Sequence, residues 1–200
     1  MDFTHILILS IIQGITEFLP ISSQSHLILS SYLLGLKDQG LGFDIALHFG
    51  SLIAILIYYR KEIRSLFSFS DEGLNYLRLI IIGSIPLPII GLLFIDIVSQ
   101  NMRSVLSIAS MTLLFGIILY LADVRKKEVV TKFSNISVYT IIFIGLMQTL
   151  AIMPGVSRSG IVITAALLAN FSREDSIKIA FLLSIPAIFM ATAYQSIQLY

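Results

Sequence analysis

The sequence predicts an all-α, polytopic membrane protein with two re-entrant helical hairpins in inverted-topology repeats. Three observations carry that expectation: the composition, a series of long apolar runs, and two polar breaks that echo each other. Of 200 residues, 56% are hydrophobic and 12% charged, where a soluble domain carries about 25% charged residues. The mean hydropathy is +0.93. Such a chain can neither cover a water-soluble surface nor remain disordered. The formal net charge of +1, from 13 Lys and Arg against 12 Asp and Glu, leaves no basic field for nucleic acid. The sequence has no Cys, which removes disulfides, thiolate nucleophiles and Cys-based metal sites. Residues 1–200 read as one integral membrane domain.

The elements follow in order. The first hairpin covers 1–36: an apolar stretch Phe3 to Leu19, the break Pro20-Ile-Ser22-Ser23-Gln24-Ser25-His26, and a short apolar run Leu27 to Leu36. The first stretch lacks the basic lead and small-residue cleavage site of a signal peptide, so it is expected in the mature protein. Three membrane helices then occupy 43–122, as Phe43 to Tyr59, Leu77 to Val98 and Val105 to Ala122. The second hairpin covers 136–170: Ile136 to Met153, the break Pro154-Gly155-Val156-Ser157-Arg158-Ser159-Gly160, and the run Ile161 to Ala169. A final membrane helix fills 177–200. The runs are continuous and do not alternate, which favours helices over a barrel. A span needs about 20 such residues.

Charge sets the orientation. Arg60, Lys61, Arg64 and Arg78 follow the first full span, and Arg125, Lys126, Lys127 and Lys132 follow the third. Positive connections stay cytoplasmic, so both are placed inside, and the turn Ser99 to Ser104, with only Arg103, faces outside. The two hairpins then enter from opposite faces. Their sequences agree with that symmetry: Gly14-x-x-Glu17-x-Leu19 is echoed by Gly145-x-x-Gln148-x-Leu150, and Pro20-x-x-Ser23-x-Ser25 by Pro154-x-x-Ser157-x-Ser159. Inverted repeats with broken helices place ligands between the breaks. A further echo, Ser84-Ile85-Pro86 against Ser184-Ile185-Pro186, lies in helices of the same orientation and is assigned to chance.

Bare backbone survives at membrane depth only where protein or a watered cavity surrounds it. Each break precedes a short helix, whose N-terminus carries unpaired N–H groups and about half a positive charge. Two such ends, with Ser hydroxyls beside them, suit an anion. Arg158 lies in the second break, where a cation in hydrocarbon costs about 2.5–3.5 kcal/mol or more. Its planar guanidinium is shaped to grip phosphate, and Glu17 is its expected neutralising neighbour. A purely structural Arg–Glu pair pinning the hairpins is the alternative. Glu17, Ser23 and His26 form a second group, since a Ser hydroxyl beside His or Glu is the pattern of an activated nucleophile. For Ser22, Ser23 and Ser25, helix capping is the competing explanation. His48, about one turn beyond Asp44, could orient substrate or make an ordinary helix-surface hydrogen bond. Gly83, Gly91, Gly116 and Gly145 are expected to permit close helix packing.

Gln13-Gly-Ile-Thr-Glu17-Phe-Leu-Pro20-Ile-Ser-Ser23-Gln-Ser-His26 resembles the first signature of the undecaprenyl-diphosphatase, or bacitracin-resistance protein, family. Pro154-Gly-Val-Ser157-Arg158-Ser159-Gly160 resembles its second, and Phe43-Asp44 with His48-x-Gly50-Ser51 a third segment. The resemblance implies removal of the terminal phosphate from a C55 polyprenyl diphosphate, recycling the carrier lipid for peptidoglycan and conferring bacitracin resistance. It implies a bacterial cytoplasmic (inner) membrane location, a site open to the extracytoplasmic side, and dependence on a divalent cation, Mg or Ca. Glu17, Ser23, His26 and Arg158 would then be catalytic, with Glu17 also able to hold the metal. Gln13, Ser22, Ser157, Ser159 and Gly160 would bind the diphosphate. Either Ser23 or His26 could be the nucleophile, or His26 could activate water or protonate the leaving oxygen.

The sequence departs from the family pattern in places. Gln13 stands where some members carry a second Glu, Gln24-Ser25 replaces small residues, and Ile161-Val162 replaces Ala-Thr. Family members usually continue through further membrane helices, so the second repeat is expected to be completed by a second copy in a homodimer, or the chain to be a degenerate member. A polyprenyl-phosphate transporter or flippase, or a non-catalytic membrane subunit, is the competing class. A transporter needs the anion cradle but not the Ser23, His26 and Glu17 chemistry.

Overall fold

The computed structural model describes residues 3–35, 41–67, 70–102, 104–125, 131 and 136–198. These form α1 (Phe3–Thr16), α2 (Ser23–Leu33), α3 (Leu41–Tyr58), α4 (Arg60–Leu66), α5 (Asp71–Ser84), α6 (Pro86–Asn101) and α7 (Val105–Val124). A second group follows: α8 (Val138–Gln148), a tight 3-10 turn Thr149–Ile152, α9 (Arg158–Leu168) and α10 (Arg173–Gln198). No strand occurs among the described residues, in agreement with the expected all-α membrane fold. Arg103, Lys126, Lys127 and Lys132, which entered the charge argument, lie outside the described residues.

Among the described residues three stretches are long and apolar enough to cross a membrane: Gly73–Phe94, Val105–Val124 and Arg173–Gln198. The first runs through the junction of α5 and α6, where Pro86 occupies the opening turn of α6 and gives up an N–H that has no intrahelical partner in any case. The hairpin helices are shorter. α1 has 14 residues and α2, α8 and α9 have 11 each; at ~1.5 Å per residue these run about 16–21 Å, well short of a ~30 Å hydrocarbon core.

Capping fixes several helix starts. Ser70, Ser104, Ser137 and Ser157 each accept a hydrogen bond at 3.1 Å from the backbone N–H three residues on, which satisfies one of the free donors of the first turn. The second break therefore ends one residue before Arg158, so Arg158 opens α9 and is not loop. In the first hairpin, α2 starts at Ser23, four residues before the expected Leu27. The polar Ser-Gln-Ser-His stretch is helical, and residues 17–22 make the corner, with Ser22 at φ 60 and ψ 93.

α9 is the centre of the molecule. Ser159 through Leu167 are all buried, and the helix packs against α7, α8 and α10. α8 leans closely on α5: a Cβ on Gly145 would lie 2.3 Å from the Gly83 carbonyl oxygen, and one on Gly83 2.8 Å from Ile141. The expected close packing holds at these two glycines. It fails at Gly91 and Gly116, where an added Cβ meets nothing within 4 Å.

The two ends of the second hairpin return to one another. Thr131 N donates to Asn170 O at 2.9 Å, and Arg173 makes a two-pronged pair with Asp123 at 2.6 and 2.7 Å. The end of α7 and the start of α10 thus share one end of the molecule. Tyr59, just before the cationic helix α4, packs edge-on against Phe181 with ring centroids 5.7 Å apart. Phe18 meets the same ring at 5.4 Å, which seats the first break two turns into α10.

Candidate active site

The first residue of α2 and the first residue of α9 close on a single carboxylate. Glu17 follows α1 and is buried, with 7% of its surface exposed. Its Oε1 accepts from Arg158 Nη2 at 2.6 Å. Its Oε2 accepts from Ser23 Oγ at 2.6 Å and from Gln13 Nε2 at 2.9 Å. Residues 141 positions apart in the chain meet because both hairpins turn at the same place. The guanidinium is left asymmetric: Nη2 is taken by Glu17, while Nη1 is buried with no hydrogen-bond partner.

Main-chain atoms reinforce the meeting. The Leu19 carbonyl accepts from Ser159 Oγ at 2.9 Å and from Ser157 Oγ at 3.4 Å, and the two hydroxyls lie 3.1 Å apart. Gly160 permits this approach, because a Cβ there would lie 3.0 Å from Ser157 Cβ and 3.3 Å from Pro20 Cβ. Gly155, with φ +95, turns the chain where a Cβ would strike the Ile108 carbonyl at 2.4 Å. Its own carbonyl accepts from Thr112 Oγ1 at 3.1 Å.

Of the expected site residues, the structure gathers Gln13, Glu17, Ser23, Ser157, Arg158, Ser159 and Gly160. Two are placed differently. His26 Nδ1 lies 2.9 Å from the Ser22 carbonyl, so the ring hydrogen-bonds within its own first turn and not with Glu17. Ser22 Oγ pairs with Ser25 Oγ at 2.9 Å and caps no backbone N–H. α2 starts early, so Ser23 opens the helix against Glu17; His26 shares that face but lies one turn along, and its ring turns back to the Ser22 carbonyl.

Another histidine comes close instead. His48 Nε2 on α3 lies 3.7 Å from Glu17 Oε2, and Ser51, one turn further along α3, receives Gln13 Nε2 at 3.4 Å. In the sequence His48 stands between a substrate-orienting role and a surface hydrogen bond, and no role falls to Ser51. The i,i+3 spacing of His48 and Ser51, which puts both on one helix face, was the available signal.

Gln13 Oε1 is buried with no donor. Beside Glu17 it makes a pair of hard oxygen ligands of the kind that Mg and Ca take. Among the described residues no group of three His, Asp or Glu could hold a metal, so phosphate oxygens of a substrate would have to complete such a shell.

A family model described as bacitracin resistance protein BacA matches residues 6–200. Curated relatives named undecaprenyl-diphosphatase include one from Saccharophagus degradans, 42% identical over all of this chain and 78% of the relative. Another, from Campylobacter curvus, is 44% identical with the same coverage. A third, from Alcanivorax borkumensis, is 44% identical over 94% of this chain and 74% of its own length. Matches of that extent, on a chain whose two signatures meet at Glu17, leave one assignment: the chain belongs to the bacitracin resistance protein BacA family.

Proposed function

We propose that the chain hydrolyses undecaprenyl diphosphate to the lipid monophosphate and inorganic phosphate, recycling the carrier lipid for peptidoglycan synthesis. The observation that carries this reading is the Ser23–Glu17–Arg158 arrangement with Arg158 Nη1 unpaired. A buried cationic donor without a partner is costly in the absence of an anion, and a diphosphate supplies one. The starts of α2 and α9 add backbone N–H groups and favourable dipoles beside it.

In this reading the terminal phosphoryl group lies between Arg158 and Ser23. Ser23 Oγ bonds to the terminal phosphorus, its proton passes to Glu17 Oε2, and the bond to the bridging oxygen breaks, releasing the lipid monophosphate. Water then attacks the same phosphorus and the bond to Oγ breaks. Glu17 returns its proton to Ser23; one water proton stays on the departing phosphate and the other passes to solvent. Arg158 balances charge on the equatorial oxygens throughout, the main demand of phosphoryl transfer. A Mg or Ca ion, when bound by Glu17, Gln13 Oε1 and the diphosphate, would supply further charge neutralisation. His26, bonded to its own helix, has no step here.

The same reading places the chain in the bacterial cytoplasmic membrane, with both hairpins re-entrant and the site open to the extracytoplasmic side. The short lengths of α1, α2, α8 and α9 support re-entrance, and the cationic residues of α4, near the Arg173 end of α10, support that end as cytoplasmic. Gln13, Ser23 and Arg158, which bond to Glu17, all belong to the same chain as it.

Phosphate release from a C55 diphosphate by the purified full-length chain tests the proposal. Release is expected, with Glu17→Gln and Arg158→Ala nearly inactive. A well-folded wild type that binds the lipid and releases no phosphate would favour transport.

A further inference from the structure

The site continues into a groove on α7. Four residues of that helix, Thr112, Phe115, Gly116 and Leu119, line it, together with Pro20 of the first break and Gly160 of the first turn of α9. The spacing of 112, 115, 116 and 119 puts all four on one helical face. The groove is graded along its length. At one end Thr112 Oγ1 holds the Gly155 carbonyl and Ser157, next to Arg158, forms part of the lining; at the other stand Phe115 and Leu119. Thr112 to Leu119 covers about 10 Å at ~1.5 Å per residue.

We propose that this groove receives the first isoprene units of the polyprenyl chain and leads them from the diphosphate to the bilayer. The proposal rests on the hydrolytic reading above for the identity of the head group. Its own support is continuity: Ser157 and Gly160 belong to both the diphosphate cradle and the groove wall. Chemistry agrees, because the lining changes from hydroxyls to hydrocarbon in the direction a prenyl diphosphate does. Gly116 gives the groove its depth, since a Cβ there would meet nothing within 4 Å.

Lipid tails are as apolar as the groove, so lodging an isoprene there gains little hydrophobic free energy. Its role is steric: it lets the head group reach Arg158 while the tail leaves. Filling it should therefore hinder prenylated substrates and spare the head group. In a Gly116→Ala, Gly116→Val, Gly116→Leu series, kcat/KM for the C55 diphosphate should fall progressively, by roughly ten- to a hundredfold at Leu, as expected for a misplaced reacting group. Inhibition by inorganic diphosphate, which reads the cradle alone, should stay unchanged.

Equal loss of both readouts would overturn the proposal, as would full C55 turnover by Gly116→Leu. A second measurement does not need turnover: a farnesyl diphosphate analogue with a photoreactive group on its second isoprene should label α7 around Phe115 to Leu119, and excess inorganic diphosphate should suppress the labelling. Labelling confined to α1 or α10 would overturn the groove even with normal hydrolysis. Labelling of α7 that ordinary phospholipid abolishes and inorganic diphosphate does not would identify a bulk-lipid site and overturn it equally. Suppressible α7 labelling by a wild type that releases no phosphate would support the groove and overturn the hydrolytic reading alone.

Discussion

The two hairpins share a pattern and differ in nearly everything that pattern holds. In the first, the Gly-x-x-Glu motif places a carboxylate at the turn, where it collects four side chains. In the second, the equivalent position is Gln148, fully buried, with both amide atoms lacking a partner. The helices after the breaks diverge as well: α9 is buried from Ser159 to Leu167, whereas only Leu27 and Ser31 of α2 are buried. One copy supplies the acidic and hydroxyl chemistry. The other supplies the cation and the packed base that holds it in place.

The comparison is broken most severely by removing the cation. Arg158→Ala should lower phosphate release by about a thousandfold or more, since charge stabilisation dominates phosphoryl transfer; Arg158→Lys should recover only part, because a point charge cannot span Glu17 and a phosphate oxygen as the fork does. Release measured with saturating C55 diphosphate checks both. Glu17→Gln follows, with a loss of about 10²–10⁴-fold for a proton-accepting group, and Ser23→Ala should approach it. His26→Ala should cost far less than either, and a His26→Ala loss equal to that of Ser23→Ala would put the assignment of His26 back into the chemistry.

The repeat-mated glycines give the next contrast, read by thermal unfolding in detergent. Gly145→Ala drives a Cβ into the Gly83 carbonyl and should destabilise by about 1–3 kcal/mol, the cost of overpacking. Gly14→Ala meets nothing within 4 Å and should be neutral or gain up to about 1 kcal/mol from helix propensity. Gln148→Met sharpens the comparison with the smallest effect. Removing an amide that has no partner should leave the melting temperature unchanged or slightly higher, while Gln13→Met, which removes the donor to Glu17, should reduce turnover.

Much of this was legible in the sequence because membranes leave few options. Long apolar runs had to be helices, and an ionisable residue within them had to find a partner, which is why Glu17 and Arg158 could be paired across the chain. The lengths of the hairpin helices were less legible. Ser23 to His26 reads as a polar break, yet it is the first turn of α2, since polar residues are tolerated where a helix opens onto a site. That shift of four residues puts Ser23 at the opening of α2, against Glu17, and lets the His26 ring bond back to the Ser22 carbonyl. His48 and Ser51 escaped because their meaning depends on how α3 rotates against α1, and periodicity within one helix does not encode that angle.

The joint between the hairpins is half main chain. Ser157 and Ser159 reach for the oxygen of residue 19, not for its leucine side chain, so every amino acid placed at 19 offers the same acceptor. A mutational scan would find position 19 permissive and positions 157 and 159 sensitive, and would trace the seam from one side only. The blind spot is testable by a thioamide at Leu19, whose sulfur is a poorer hydrogen-bond acceptor than oxygen and which leaves every side chain, Pro20 included, intact.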